Sequence, residues 1–264
     1  MTEPAAVQSD ATGGVLTITL DRPSAGNALR PVDREAIIDL LNAAHDDRTV
    51  RVVVVRAHGR HFCTGADVTG LGGAVEPGVG HVTRRIMGGA QRLISAILDC
   101  DKPVVSVVQG AAAGMGAHIA YASDFVVASS AASFVESFVL RGLTVDAGGA
   151  YMLPRLIGLQ RAKQLALLGD RISAAEAHAL GLVNQVVEAE DLDRAAAEIA
   201  ARFAAGATSA IALTKRLFNA SLDADRAAAF TAEAFAQELQ SQSADVSEGI
   251  TSFLEKRPSR FRGW

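Results

Sequence analysis

Three short runs constrain this chain most: VVVVRA (52–57), PVVSVVQG (103–110) and FVVAS (125–129), in which nearly every side chain is apolar or β-branched. Such side chains suit a pleated strand and crowd a helix. The runs at 103–110 and 125–129 are too short for a helix and are bounded by Gly, Ser or Asp, and 52–57 reads as a buried strand, so three buried strands are expected. GVLTITL (14–20) reads as a fourth, followed by the turn-like DRPSAGN. Helical segments separate them. PVDREAIIDLLNAAH (31–45) opens on proline with apolar residues at helical spacing, and VTRRIMGGAQRLISAIL (82–98) repeats that spacing at Ile86, Leu93, Ile94 and Ile97. SAAEAHALGL (173–182) starts with a capping box, Ser173 to Glu176, and closes on Gly181.

The alternation defines an α/β body. From about residue 191 the strands stop, and DRAAAEIAARFAA, AIALTKRLFNASL, AAFTAEAFAQEL and SEGITSFLEK form a helical tail. This divides the chain into a core, 1–195, and a C-terminal helical region, 196–264. The apolar faces of the tail require a surface to cover, on the same subunit or on a neighbour.

Composition narrows the function classes. Of 264 residues, 49% are hydrophobic, enough for one large core. A net charge of -4 and a pI near 5.9 provide no basic field, so nucleic acid is not an expected partner. Cys63 and Cys100, the only cysteines, make neither a disulfide framework nor a zinc or redox pattern, which fits a reducing cytoplasm. The N-terminus lacks the basic and apolar regions of a signal peptide, and no uninterrupted apolar stretch has membrane-spanning length. No metal site is expected either. The Gly-rich GLGGAVEPGVG (70–80) reads as a mobile loop.

Two segments place small residues where a backbone must approach something closely: HFCTGADV (61–68) and QGAAAGMGAHIAYASD (109–124). Both end in expected helix starts, whose free N–H groups and positive dipole suit an anion or a polarised oxygen. By the residues alone, two tight connections packed for space explain the pattern equally well. A dinucleotide fingerprint is a third reading, but Ile119 stands where its last glycine belongs.

LDRPSAGNAL (20–29), HFCTGADV, GAAAGMGAHIAYASDFVVAS and GLTVDAGGAYMLPRLIG (142–158) occur in the order and spacing of the crotonase, or enoyl-CoA hydratase/isomerase, superfamily, which the chain resembles from about residue 14 to its end. The closing FLEKRPSRFRG is similar too. The resemblance implies a spiral of ββα turns with a C-terminal helical trimerisation region, a homotrimer or a hexamer built from two trimers, and a coenzyme A thioester as substrate with no further cofactor. It also implies an oxyanion hole made by the backbone N–H groups of Ala66 and Met115, which would hold a thioester enolate. Ala25, Asn27, Thr64, Asp67 and Val68 match the part of the family that holds the nucleotide and pantetheine, with Asp67 read as a helix N-cap. Lys256 and Phe261 fall where the family's C-terminal segment approaches the adenosine phosphate.

Hydratases of the superfamily use two glutamates around one water. Here the first position is His118 and the second is Phe138, which can transfer no proton. Glu136, two residues earlier, would share Phe138's side of an extended segment. Asp146 stands where isomerases of the superfamily, including dienoyl-CoA and epoxyphenylacetyl-CoA isomerases, keep a catalytic aspartate. As a bare residue it would serve equally as a helix cap. The resemblance therefore implies an isomerase in which Asp146 shuttles a proton. A hydratase using His118 and Asp146, or Glu136, and a catalytically silent acyl-CoA-binding protein are the alternatives. Phe138 is expected to shape the acyl pocket. His118 is read as a general acid/base, or as a buried histidine satisfied by a carbonyl. Glu136 and Arg141 are read as an ion pair or as solvated groups.

Overall fold

The structure, a computed structural model, describes residues 5–69 and 78–264. The Gly-rich segment therefore lies largely outside the described residues. The strands are β1 (Val7–Thr12), β2 (Val15–Leu20), β3 (Val52–Ala57), β4 (Val104–Val108), β5 (Ala111–Ala113), β6 (Phe125–Ser129), β7 (Ser133–Val135), β8 (Arg171–Ser173) and β9 (Gln185–Val187). The helices are α1 (Pro31–Asp46), α2 (His81–Arg85), α3 (Arg92–Asp99), α4 (Met115–Ala122), α5 (Gly149–Ile157), α6 (Leu159–Leu168), α7 (Ala174–Ala179), α8 (Leu192–Ala205), α9 (Thr208–Ser221), α10 (Arg226–Ser241) and α11 (Ala244–Leu254). A π-helical stretch, Ile86–Gln91, joins α2 to α3, so the helix expected over 82–98 is continuous but wound wide at its middle.

The larger sheet has the order β1-β2-β3-β4-β6-β9 and is parallel from β2 onward. Strand alternation sorts its side chains onto two faces. Val53, Val55, Val104, Val108, Val126 and Ala128 enter the main core. Val52, Val54, Val105, Val107 and Val127 point the other way, onto Leu192, Ala195, Ala196, Ile199 and Ala200 of α8. Burial on both faces explains why these strands read as unbroken apolar runs. The division at 195/196 falls inside α8, which packs on this face of the sheet.

β1 has no apolar alternation to announce it. It is an edge strand held by backbone pairing to β2 across the tight turn at Gly13 and Gly14, both with positive φ. The smaller sheet, β5-β7-β8, consists of three-residue strands set beyond the ends of β4 and β6. The β4-β5-α4 step thus runs from the main sheet to the small one and then into a helix. The predicted capping box forms at α7, where Ser173 and Glu176 bond reciprocally.

The tail is fastened at the opposite, N-terminal end of the parallel strands. Arg51, just before β3, donates to Thr208 and to the Phe261 carbonyl, and Lys102, just before β4, lies 4.2 Å from the Trp264 ring centre. Lys215 of α9 donates to the Ile97 carbonyl at 2.9 Å and to Asp124 at 2.7 Å. Among the described residues no single helix is long and apolar enough to cross a membrane.

Candidate active site

The two Gly-rich turns meet where β3 and β4 end. Cys63 donates to the Ala111 carbonyl and accepts from Ala113, so residues 61–66 run alongside β5. Glycine is needed at two points of this contact. A Cβ on Gly116 would lie 2.1 Å from the Cys63 carbonyl oxygen, and one on Gly65, at φ 103, would lie 2.9 Å from the Ala113 oxygen and 3.7 Å from Met115 N.

This contact orients two N–H groups. Leu29 donates to Gly65 O at 2.8 Å and accepts from Asp67 N at 3.0 Å. In a parallel bridge of that pattern the residue between, Ala66, turns its own N–H away from Leu29. Met115 is the first residue of α4, where an N–H has no partner within the helix. Neither N–H donates to a protein acceptor among the described residues. Of the two expected helix starts, α4 forms; the other would continue into residues outside the described ones. Ala66 forms a bridge, and among the described residues Asp67 and Val68 are not helical; the Asp67 carboxylate accepts from Thr69 and from Arg22 Nη1 at 2.6 Å, which hold its pKa down at about 2.

α4 is buried along its whole length, and its second turn carries His118. His118 Nε2 lies 2.8 Å from Glu136 Oε2, with side-chain exposures of 0% and 2%. Glu136 therefore has His118 as its partner, and Arg141, expected as an ion-pair candidate, donates instead to the Ser137 carbonyl. His118 Nδ1 and Glu136 Oε1 remain buried without a partner among the described residues. The Phe138 ring stacks on the imidazole, centroids 5.4 Å apart, and flanks Gly114 beside the start of α4.

Asp146 lies on the turn before α5. The helix is capped by Gly148, so the side chain of Asp146 caps nothing; only its carbonyl takes part, accepting from Gly149 N. Ala147 and Gly148 both have positive φ, and a left-handed Ala costs about 1 kcal/mol, so the fold holds this turn in place at some cost. Among the described residues the half-buried carboxylate accepts no hydrogen bond. Burial raises its pKa above the usual aspartate value, and the neighbouring imidazole of His118 and the guanidinium groups of Arg34 and Arg85 partly offset this. A half-buried, unbonded carboxylate facing cations is suited to proton exchange.

Arg34 was not singled out from the sequence. It is 9% exposed on α1, in line with Ile37, Ile38 and Leu41, and a cation within an apolar helical stripe was the signal available. Ala25, Asn27, Thr64, Asp67 and Val68 do cluster. Thr64 binds the Gly26 carbonyl, and buried Asn27, itself at positive φ, accepts from Arg22 N and donates to the His58 and His61 carbonyls. Lys256 and Phe261 lie elsewhere: within one chain they belong to the tail at the far end of the sheet, away from Ala66 and Met115. Among the described residues no group of three or more potential metal ligands assembles.

The model of the enoyl-CoA hydratase/isomerase family matches residues 10–263. The chain belongs to this family. Its relatives include the 1,2-epoxyphenylacetyl-CoA isomerase of Escherichia coli, 35% identical over 255 residues and 95% of each chain, and the crotonyl-CoA hydratase of Syntrophomonas wolfei, 36% identical over 246 residues and 92% of each. The crystal structure of an enoyl-CoA hydratase from Polaromonas sp. JS666 superposes with a TM-score of 0.91 at 36% identity, covering 97% of this chain and all of that one. The fold is thus the family's crotonase fold, with a C-terminal helical region, and an acyl-CoA is the implied substrate of this family member.

Proposed function

We propose that the protein shifts a double bond within an enoyl-CoA, with Asp146 as the proton shuttle. Asp146 removes a proton from a carbon activated by the thioester and the neighbouring alkene. The electron pair moves onto the carbonyl oxygen, where the Ala66 and Met115 N–H groups stabilise the enolate, and the same proton returns at another carbon of the acyl chain. Preorganised donors of this kind are worth on the order of a hundredfold or more in rate. The coenzyme A moiety enters as part of the substrate, and no other cofactor is required. We further propose a homotrimer or a dimer of trimers, in which Lys256 and Phe261 would reach a neighbour's nucleotide rather than their own.

The observation that carries this reading is the contrast between two carboxylates. Asp146 is unbonded and half-open, whereas Glu136 is fully buried on His118, and Phe138 fills the position where a second hydratase glutamate would stand. One mobile proton suffices for isomerisation; hydration needs a water held between two groups.

The His118–Glu136 pair also favours a second reading, a hydratase in which His118 orients the water and Asp146 exchanges the proton. Turnover of 3-enoyl-CoAs in H₂¹⁸O separates the two. A 2-enoyl product free of ¹⁸O is expected; no turnover of the 3-enoyl-CoA, with labelled 3-hydroxyacyl-CoA formed instead from a 2-enoyl-CoA supplied separately, would overturn the isomerase. Binding without turnover across short, long and aryl acyl-CoAs would leave an acyl-CoA-binding protein.

A further inference from the structure

Arg34 is a buried cation with donors to spare. Nη1 donates to the Leu29 carbonyl at 3.2 Å, while Nε is fully buried with no acceptor among the described residues. The carboxylates near it do not supply one. Asp33 is taken up by Arg30 and by the Ala6 N–H, and Asp146, although close enough for its charge to be felt, forms no ion pair with Arg34 among the described residues. Arg85 adds a second cation nearby. A desolvated guanidinium stays charged, and leaving one of its donors unmet costs free energy that an arriving acceptor would recover.

Its surroundings place it in the site. Leu29 O, the acceptor of Nη1, is also the acceptor of Asp67 N–H in the bridge that orients Ala66. On its other side the guanidinium abuts Gly89, where an added Cβ would sit 3.4 Å from Nη2, in the π-helical stretch Ile86–Gln91. Wide turns of this sort recur at functional sites. Arg34 thus lies between the oxyanion turn, the Asp146 turn and the helix after Gly80. We infer that Arg34 anchors an oxygen atom carried by the acyl chain, so that the preferred substrates are oxygenated acyl thioesters rather than plain hydrocarbon ones. This rests on the acyl-thioester reading of the site. A hydroxyl and a carboxylate share the required chemistry, that of an oxygen acceptor for buried N–H donors.

Binding of saturated thioesters tests the inference without relying on turnover. Hexanoyl-CoA, 6-hydroxyhexanoyl-CoA and the mono-CoA thioester of adipic acid would be titrated calorimetrically into the wild type, Arg34→Met and Arg34→Lys, each checked for an unaltered melting profile. The wild type should bind at least one oxygenated ligand about tenfold to a hundredfold more tightly than hexanoyl-CoA, the range for hydrogen bonds to a charged donor. Arg34→Met should bring that ratio close to one, and Arg34→Lys should retain part of it. The better of the two ligands identifies the oxygen as hydroxyl or carboxylate. Equal affinity for all three in the wild type, or a preference that survives in Arg34→Met, would overturn the inference while leaving the isomerase reading intact. Failure of every thioester to bind would instead remove the acyl-CoA reading itself. Should Arg34→Met not fold, the Arg34→Lys ratio alone decides: an undiminished preference refutes the anchor.

Discussion

Glu136 and Asp146 are both carboxylates near His118, and the fold treats them oppositely. Glu136 follows β7, points into the core and is fixed at 2.8 Å on His118. Asp146 sits on a turn in which Ala147 and Gly148 both take left-handed conformations, and its carboxylate accepts no hydrogen bond among the described residues. A carboxylate locked in a buried pair contributes to structure, because moving its proton would strand a charge in the core. One that is half-buried and unbonded can gain or lose a proton at modest cost. The lesson is that burial by itself does not mark a catalytic acid; an unspent hydrogen-bonding capacity at a reachable position does.

Four measurements test this contrast. Asp146→Asn should lower kcat/KM for a 3-enoyl-CoA by about 10²–10⁴-fold, the usual worth of a positioned acid/base, with acyl-CoA affinity retained in calorimetry. Unchanged turnover would remove the contrast altogether. Glu136→Ala, by comparison, should act on the fold. Removing one member of a buried pair costs about 3–5 kcal/mol, to be read from denaturant midpoints, and Glu136→Gln should recover part of the loss.

The third measurement is the acid limb of kcat/KM. A base must be ionised to accept a proton, and burial raises the Asp146 pKa, so activity should fall with decreasing pH at a higher value than an ordinary aspartate would give. Glu136→Gln should leave that limb in place. A limb carried instead by Glu136 would disappear in that variant.

The smallest effect concerns a third carboxylate, Asp67. Its pKa of about 2 lies below that of an unfolded aspartate, so its contribution is present at neutral pH and is lost as pH falls from about 4 towards about 2. Its partner Arg22 is partly open to solvent, which limits the effect, and Asp67→Asn should cost under about 1 kcal/mol at neutral pH in a chemical melt.

Much of this was legible in the sequence for local reasons. The β-branched runs became β3, β4 and β6 because both faces of the parallel sheet are covered, and the Ser173–Glu176 box formed because its partners are three residues apart. β1 was not legible, since a polar edge strand carries no periodic signal and depends on its partner. Glycine content around Gly65 signals a helix start, and pairing with Leu29 holds Gly65 to Asp67 extended, a contact between segments that no local pattern announces. Arg141 paired with a backbone carbonyl, and Glu136 was drawn to His118, because β7 brings that carboxylate beneath α4.

The amino-acid order alone fixed which groups are available: backbone donors where a side chain would collide, a phenyl ring at 138 that carries no proton, and one aspartate at 146. Those are properties of single residues and near neighbours. Only the tertiary structure decided how those groups are shared out. The pairing of His118 with Glu136, the unbonded state of Asp146 and the stranded Nε of Arg34 depend on where a helix, a strand and a turn far apart in sequence come to rest. Hydrogen bonds form or fail over tenths of an ångström, a precision that sequence spacing does not carry across such separations.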